Sequence, residues 1–195
     1  PILDLSEADT TVTFLPFAHI FGRVEMWAHV YIGWQMAFAE SIEKIAANLV
    51  DLKPTFMLAV PRIFEKIYAK IIGQVDAGSP VKKKLFYWAI GIGKQVSQAR
   101  QKRQDLPLSL LLQYQVANKL VFSKIYAKLG GRIRYLVSGG APLPRDIAEF
   151  FHAAGILILE GYGLTETTAA VYVNTPYHYK FGTVGRTIGE VQTRI

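Results

Sequence analysis

The sequence predicts an α/β fold: a largely parallel sheet with flanking helices and a helical insert. Apolar runs typical of strands alternate with segments in which large apolar residues recur every three or four positions. A wholly helical pattern interrupts this alternation from about residue 80 to 129. Because strands that alternate with helices usually form parallel sheets, we expect one such sheet, with the helical pair as an excursion from it.

The first third of the chain predicts two strand–helix units. Thr11–Pro16 is a β-rich run that ends at proline, and Phe21–Tyr31 has the apolar spacing of a helix. Residues 34–39 predict a second short strand. Ser41 is then the expected N-cap of the following helix.

The middle of the chain predicts a buried strand and then the helical insert. Residues 55–60 are apolar throughout, as expected for a strand covered on both faces, and Pro61 suits the first turn of the next helix. The insert shows two apolar stripes that we expect to be buried. The first stripe comprises Leu85, Trp88, Ala89, Ile92, Val96 and Ala99, and the second comprises Leu108, Leu112, Val116 and Leu120.

Strand character returns in the last third of the chain. Ile133–Ser138 predicts a strand, followed by two glycines and a helix that carries Ile147 and Phe150. Residues 156–159 predict the next strand. These segments restore the strand–helix alternation of a parallel sheet.

The bulk composition describes a globular domain or a piece of one. The 195 residues are 51% hydrophobic, enough for one substantial core, and contain no cysteine. No apolar run approaches the roughly 18–20 residues that cross a bilayer. The start, Pro1–Asp4, has neither an initiator Met nor a secretory signal, so we expect a fragment of a cytoplasmic protein.

The positive charge is concentrated in the middle of the chain. The net charge is +7, and residues 61–134 contain 15 Lys and Arg against Glu65, Asp76 and Asp105. One interpretation is a solvated helix face; the other is peripheral docking on anionic lipid through residues 82–84. We expect no nucleic-acid partner, because aromatic residues are not interleaved with the basic ones.

Two glycine-containing segments follow strands, where α/β sheets gather ligands. Ser138–Ala141 lets a flat or anionic ligand approach the backbone, although a tight turn explains the same residues. In Gly161–Thr168, Tyr162 lies between glycines, Thr165 offers a hydroxyl to a phosphate, and Glu166 offers a carboxylate to Mg²⁺. A capped turn is the alternative for Thr165 and Glu166.

A third segment that follows a strand carries His19 among apolar residues. The imidazole could orient a substrate carboxylate. Its spacing alone fits a hydrogen-bonded core histidine better.

Four short segments, taken together, carry a family resemblance. They are Phe14–Gly22, Val137–Leu143, Glu160–Thr168 and Gly182–Arg186. In this order they resemble the AMP-binding, acyl-adenylate-forming superfamily over nearly the whole chain. Val60–Tyr68 and the basic insert resemble long-chain fatty acyl-CoA ligases in particular.

The resemblance implies an enzyme that uses ATP, Mg²⁺, a fatty acid and coenzyme A. It implies that Tyr162 stacks on adenine, and that the catalytic residues Thr165 and Glu166 contact the α-phosphate and hold Mg²⁺. The resemblance also implies that His19 lies at the carboxylate end of the acyl channel, reversing the core-histidine interpretation. The remaining implied contacts to nucleotide or acyl group come from Gly139, Gly140, Ala141, Glu160, Gly161 and Gly163.

The resemblance further implies that residues 1–195 are a fragment of the AMP-binding N-terminal domain of an acyl-CoA synthetase-like fold, without the small C-terminal domain. The family's phosphate loop, ribose-binding Asp and C-terminal Lys are not in these residues. We therefore expect this chain to be inactive alone. A non-catalytic adenylate-binding or scaffolding protein, or a ligase that uses another acyl acceptor, are the alternatives.

Overall fold

The computed structural model describes residues 3–194, so Pro1 and Ile2 of the expected cut end, and Ile195, lie outside it. The strands are β1 Thr10–Thr13, β2 Gln35–Phe38, β3 Phe56–Ala59, β4 Tyr135–Ser138, β5 Leu157–Leu164, β6 Ala169–Val173 and β7 Arg186–Thr187. The helices are α1 Ile20–Ile32, α2 Ile45–Leu52, α3 Pro61–Asp76, α4 Pro80–Gln101, α5 Leu108–Ala117, α6 Ser123–Ala127 and α7 Arg145–Ala153.

The strands form one seven-stranded sheet in the order β2-β1-β3-β4-β5-β6-β7. β2, β1, β3, β4 and β5 are parallel, whereas β5, β6 and β7 pair antiparallel. The predicted fold class, a largely parallel α/β sheet with flanking helices, is confirmed. The parallel strands bring the loops that follow β1, β4 and β5 to one edge of the sheet.

The sheet is covered on both faces, as the apolar run of the third strand predicts. Phe56 and Met57 are adjacent in β3, point to opposite faces, and are both 0% exposed. Met57 joins the large core formed with α2, α3, α4 and α7. Phe56 packs on Trp34 in a smaller cluster that reaches α1, with ring centroids 5.0 Å apart.

The predicted N-cap at Ser41 is wrong, because α2 begins four residues later. Ser41 Oγ accepts a hydrogen bond from Lys44 N and so closes a turn before the helix. The side chain of Asn48 holds the residues before α2 in place. Its Oδ1 accepts a hydrogen bond from Glu40 N, and its Nδ2 donates one to Glu40 Oε1. Pro61, in contrast, does begin α3.

The helical pattern of residues 80–129 forms α4, α5, a π-helical turn at 118–122 and α6. Of the first predicted stripe, Ala89, Ile92 and Val96 are buried, but Trp88 is 39% exposed. The second predicted stripe is wrong, because Leu108, Leu112, Val116 and Leu120 are all exposed. The inward stripe of α5 and the π-helical turn is instead Leu110, Tyr114, Ala117 and Val121, spaced by three or four residues.

Within residues 3–194, no helix combines the length and the apolar character needed to cross a bilayer.

Candidate functional site

A cavity of about 80 Å³ lies between the turn after β4, the last part of β5, β6 and the start of α1. It brings together six residues that the sequence predicts for the site. They are His19, Gly139, Gly140, Gly161, Tyr162 and Gly163. The other four predicted residues, Ala141, Glu160, Thr165 and Glu166, do not line this cavity.

The turn after β4 holds the Phe21 ring close against the backbone. A Cβ at Gly139 would lie 3.2 Å from Phe21 Cζ, tighter than most real contacts. Gly140 has a φ of +83°, which glycine adopts without strain. The two glycines therefore act differently, one by close approach and one by positive φ. Ala141 beyond them is exposed.

Ser138 is a residue of this cavity that the sequence analysis did not select. Its side chain is 1% exposed, and its Oγ has no hydrogen-bond partner among residues 3–194. Buried hydroxyls almost always have a partner, so this oxygen is available to a ligand. The sequence feature that could have identified Ser138 is its position at the end of the strand, directly before the two glycines.

The segment Gly161–Leu164 belongs to β5 rather than to a loop, so this strand ends five residues later than predicted. β6 pairs with it antiparallel, with an irregularity between Tyr162 and Gly163. A Cβ at Gly163 would lie 1.7 Å from Ala169 O. Gly163 thus permits a backbone contact that no other residue allows.

Tyr162 is 45% exposed and presents its ring at the cavity. The ring neighbours that of Tyr172 on β6, with centroids 6.2 Å apart. Small residues on both sides, Gly161 and Gly163, leave the ring accessible along the strand. An accessible aromatic ring beside glycine backbone can stack on a planar ligand.

Thr165 and Glu166 begin the turn that joins β5 to β6, and both side chains are exposed. The turn is closed by Thr167, whose Oγ1 accepts from Leu164 N at 2.9 Å and donates to backbone carbonyls. Within residues 3–194, neither the Thr165 hydroxyl nor the Glu166 carboxylate makes a hydrogen bond or ion pair. Thr165 and Glu166 therefore lie in a capped turn, as the alternative interpretation predicted, but the side chain of Thr167 caps it.

The backbone after this turn is strained. Thr168 and Ala169 have φ values of +56° and +86°, which residues with a Cβ rarely adopt. Such strain persists only where the surroundings impose it, and it is frequent at ligand sites.

Glu160 lies beneath the cavity, not in it. Its side chain is 7% exposed, and Oε1 accepts from Leu143 N at 3.1 Å. Burial raises the pKa of this carboxyl, and the Leu143 N–H opposes that shift. The carbonyl of Glu160 accepts from Asn174 N at 2.8 Å. Glu160 therefore ties the segments after β4 and β6 to β5.

His19 is exposed and is the N-cap of α1, so the core-histidine interpretation is wrong. Its Nδ1 accepts from Phe21 N at 3.2 Å. That bond satisfies one free N–H of the helix start and leaves Nε2 for another partner. Gly22 allows the turn, since a Cβ there would lie 2.6 Å from Pro16 O.

Glu25 is a second residue that the sequence analysis missed. The carboxylate is 1% exposed and accepts from Thr13 Oγ1 at 2.6 Å and Thr11 Oγ1 at 3.2 Å. Burial raises the pKa of Glu25 to about 7, although the two threonine bonds lower it. These bonds fix α1, and therefore His19, against β1.

Asn174 organises the loop before the Gly182–Arg186 segment. It is buried, its Nδ2 donates to Thr183 O at 2.6 Å, and its Oδ1 accepts from Lys180 N at 3.0 Å. Gly182 and Gly185 follow with positive φ. No sequence pattern distinguished Asn174 from other loop asparagines.

The model of the AMP-binding enzyme family matches residues 2–195. The chain belongs to that family. Among curated members, long-chain-fatty-acid–CoA ligase FadD15 of Mycobacterium bovis is 34% identical over 98% of this chain and 31% of its own length. Long chain acyl-CoA synthetase 3 of Arabidopsis thaliana is also 34% identical, over 98% of this chain and 28% of its own. This AMP-binding chain thus spans about a third or less of these relatives.

Solved structures show the same fold in other proteins. The N-terminal domain of FACL13 from Mycobacterium tuberculosis aligns with a TM-score of 0.59 at 17% identity, covering 95% of this chain and 35% of that one. A benzoate CoA ligase from Burkholderia xenovorans aligns with a TM-score of 0.58 at 23% identity, covering 96% and 29%. At these identities the likeness concerns the fold.

Proposed function

We propose that this chain forms one wall of the adenylate site in a long-chain fatty acid–CoA ligase. Residues 1–195 would be part of its N-terminal domain, with an insert at about 80–129. The observation that carries the proposal is the cavity where His19, the Gly139–Gly140 turn and Tyr162 converge. The proposal is also supported by the match to the AMP-binding family and by the names of the relatives that match almost the whole chain.

The size of the cavity supports the proposal that this chain forms one wall of the site and not the whole site. Pockets for small molecules measure about 300–1,000 Å³, whereas this cavity measures about 80 Å³. It can hold part of a nucleotide. The remainder of the ligand would extend over the exposed turn at Thr165 and Glu166.

The residues fit a nucleotide. Tyr162 would stack on adenine, with Gly161 and the backbone of Gly139 and Gly140 against the base, Ala141 at the rim, and Glu160 holding the loop from below. The unpartnered Ser138 Oγ would gain a hydrogen bond from this ligand.

The residues also fit a nucleotide-bound Mg²⁺. Residues 3–194 contain no group of three or more His, Asp or Glu side chains that could hold a metal. Mg²⁺ at nucleotide sites usually takes one or two carboxylates, with phosphate oxygens and waters as the other ligands. Glu166 would supply that carboxylate and Thr165 would donate to the α-phosphate. When bound, the cation offsets charge on the phosphates.

The proposed reaction has two steps. A fatty acid carboxylate oxygen attacks the α-phosphorus of ATP, and pyrophosphate leaves; the thiol of coenzyme A then attacks the acyl carbon, and AMP leaves. His19 would orient the carboxylate through Nε2, with Gly139 and Gly163 beside the acyl-adenylate. Fixed donors of this kind stabilise charge that develops in the transition state.

Nucleotide binding tests the wall directly. We expect Tyr162→Ala to weaken ATP binding by the whole protein about 5- to 150-fold, since stacking on a base contributes about 1–3 kcal/mol. Tyr162→Phe should bind normally, and the exposed Tyr177→Ala serves as the control. Equal affinities for all four proteins, measured by calorimetry, would remove Tyr162 from the site. Nucleotide binding without turnover would favour the non-catalytic alternative. ATP–pyrophosphate exchange without formation of an acyl-CoA thioester would favour a ligase that uses another acyl acceptor.

A peripheral membrane contact by a cytoplasmic protein is a second proposal. Val81 is exposed next to the lysines at 82–84, so an apolar and several basic side chains occur together at the start of α4. We expect binding to anionic vesicles that salt weakens and that Lys82→Glu with Lys84→Glu abolishes. Lys83 is omitted because it pairs with Asp76 at 2.6 Å. Absence of binding at low salt would reject the contact.

A further inference from the structure

A cavity of about 230 Å³ lies beside the loop that Asn174 organises. It is lined by Arg103, which follows α4, by residues between 174 and 185, and by Arg186 at the start of β7. We call it the basic cavity. It shares no lining residue with the cavity beside His19, and therefore lies outside the candidate site described above.

Every charged side chain that lines the basic cavity is cationic. Arg103, Lys180 and Arg186 carry positive charge at neutral pH, and His178 lies among them. Among residues 3–194, no Asp or Glu lines the cavity, and none of these three cations has a carboxylate within 4 Å. Like charges around one small space repel one another, so an anion bound between them is favoured.

Arg103 is held at the wall of the basic cavity by a long-range contact. Its Nη2 donates to Tyr177 O at 2.9 Å, which joins the end of α4 to the loop. This contact uses one of the five guanidinium N–H donors and leaves the others for a ligand. The backbone of Arg103 has a φ of +54°, a strained value for a residue with a Cβ. Such strain is frequent at ligand sites.

The backbone that carries the other two cations is also fixed. Lys180 N donates to Oδ1 of the buried Asn174 at 3.0 Å, and Lys180 O accepts from Thr183 Oγ1 at 2.8 Å. Arg186 pairs with Val173 in the β6–β7 ladder. The fold therefore brings three cations from separate positions in the sequence to one cavity.

The walls of the basic cavity favour a small polar anion. Apart from Tyr179, the lining residues are glycine or have polar or charged side chains, so an acyl chain would find little apolar surface. The volume is below the roughly 300–1,000 Å³ of pockets that enclose larger organic ligands. Guanidinium groups match phosphate oxygens in geometry, and several cations complement an anion with several negative charges. Inorganic pyrophosphate combines this small size with this charge.

We propose that the basic cavity is an anion site, separate from the adenylate site, that binds one pyrophosphate ion. The guanidinium groups of Arg103 and Arg186 contact the phosphate oxygens, and Lys180 supplies a third positive charge. The proposal rests on the basic cavity alone and does not require the function proposed above. If that function is correct, the ion is also the product released in its first step.

Protection from phenylglyoxal locates the bound ion. This reagent modifies exposed arginines, and mass spectrometry of peptides follows each arginine separately in the whole protein. At about ten times its dissociation constant, pyrophosphate should slow the modification of Arg103 about tenfold, because about nine tenths of the sites are then occupied. Arg132, which is exposed and lies outside the basic cavity, should react at an unchanged rate.

Calorimetry of matched variants tests the role of the charges. At about 0.15 M salt, Arg103→Gln with Lys180→Gln should weaken pyrophosphate binding by the whole protein at least about tenfold, because two charged contacts are lost. Arg132→Gln with Lys94→Gln makes the same charge change on exposed residues outside the basic cavity and should bind as the wild type does. Circular dichroism checks that each variant is folded.

Four results would overturn the site. They are no protection of Arg103, equal affinity of the wild type and the folded cavity variant, equal weakening by the control variant, and binding of orthophosphate as tight as that of pyrophosphate. The protection measurement requires no substitution, so it decides the question even where a variant does not fold.

Discussion

Individual side chains connect the helical insert to the site. Ser97 Oγ on α4 lies 2.7 Å from His152 Nδ1 on α7, and Tyr179 Oη lies 3.0 Å from His152 Nε2. Gln101 Nε2 donates to the same Ser97 oxygen at 3.1 Å. This buried chain of contacts joins α4 and α7 to the loop that Asn174 holds beneath the candidate site.

His152 predicts acid sensitivity. Burial lowers its pKa from 6.5 to about 4, and the nearby charge of Arg100 adds to the effect. Between pH 6.5 and 4, His152 therefore binds a proton in the unfolded chain but not in the folded chain. His152 thus contributes stability above pH 6.5 that is lost as the pH falls to 4, about 3 kcal/mol in all.

Urea unfolding as a function of pH measures this effect. His152→Leu should be less stable at pH 7 and should lack the fall below pH 6.5, whereas the exposed His178→Asn should retain it. The difference between wild type and His152→Leu is the informative quantity, because the raised pKa of Glu25 adds stability that grows as the pH falls from 7. An unchanged pH slope in His152→Leu would contradict the assignment.

Residue roles were only partly predictable from the sequence. Six predicted residues meet at one cavity because they follow β1 or β4 or belong to the last part of β5, at the same edge of the sheet. Glu25, Ser138 and Asn174 were missed, since their importance depends on burial and on partners distant in sequence. The roles of Thr165 and Glu166 stay predictions until a ligand is measured.

At the scale of elements, the contact between α4 and α7 depends on one glycine. A Cβ at Gly93 would lie 2.5 Å from Ala153 O and 2.8 Å from Phe122 Cζ. The first of these is a backbone atom and cannot move without shifting α7. A Cβ at Gly91, two residues earlier on the same helix, would have no neighbour within 4 Å in the described part of the chain.

This pair of glycines gives a matched prediction. Gly91→Ala should stabilise the protein by up to about 1 kcal/mol, because alanine favours helix. Gly93→Ala should destabilise it by about 1–3 kcal/mol, because the added methyl overpacks the α4–α7 contact. Thermal unfolding of both variants measures the difference. If Gly93→Ala is as stable as Gly91→Ala, the two helices do not pack as described.

The sequence predicted whether an element is a strand or a helix better than it predicted the element's buried face or its last residue. Apolar periodicity located every strand up to residue 159, but it assigned the wrong inward face to α5, where leucines occur on two faces. It also ended β5 too early, because the glycines of Gly161–Gly163 resemble a loop. Only the pairing of this segment with β6 shows that it is a strand, and that pairing is non-local.

On the scale of the whole molecule, the chain is a sheet with a site at one edge and a basic helical layer on the outside. The alternation of strands and helices predicted the parallel part of the sheet, since a parallel pair requires a crossover. The antiparallel β6 and β7 could not be predicted in this way, because antiparallel neighbours need only a short turn and no crossover helix. The small volume of the cavity supports the proposal that this chain supplies one wall of a larger site.

The central claim is that this wall serves acyl-adenylate formation, and ATP–pyrophosphate exchange by the whole protein tests it most directly. We predict exchange that depends on a long-chain fatty acid and Mg²⁺ and that falls about a hundredfold or more in Glu166→Gln. Glu7→Gln, which removes an exposed carboxylate far from the motif in sequence, should exchange normally. No fatty acid-dependent exchange in the wild type, or full exchange in Glu166→Gln, would contradict the claim.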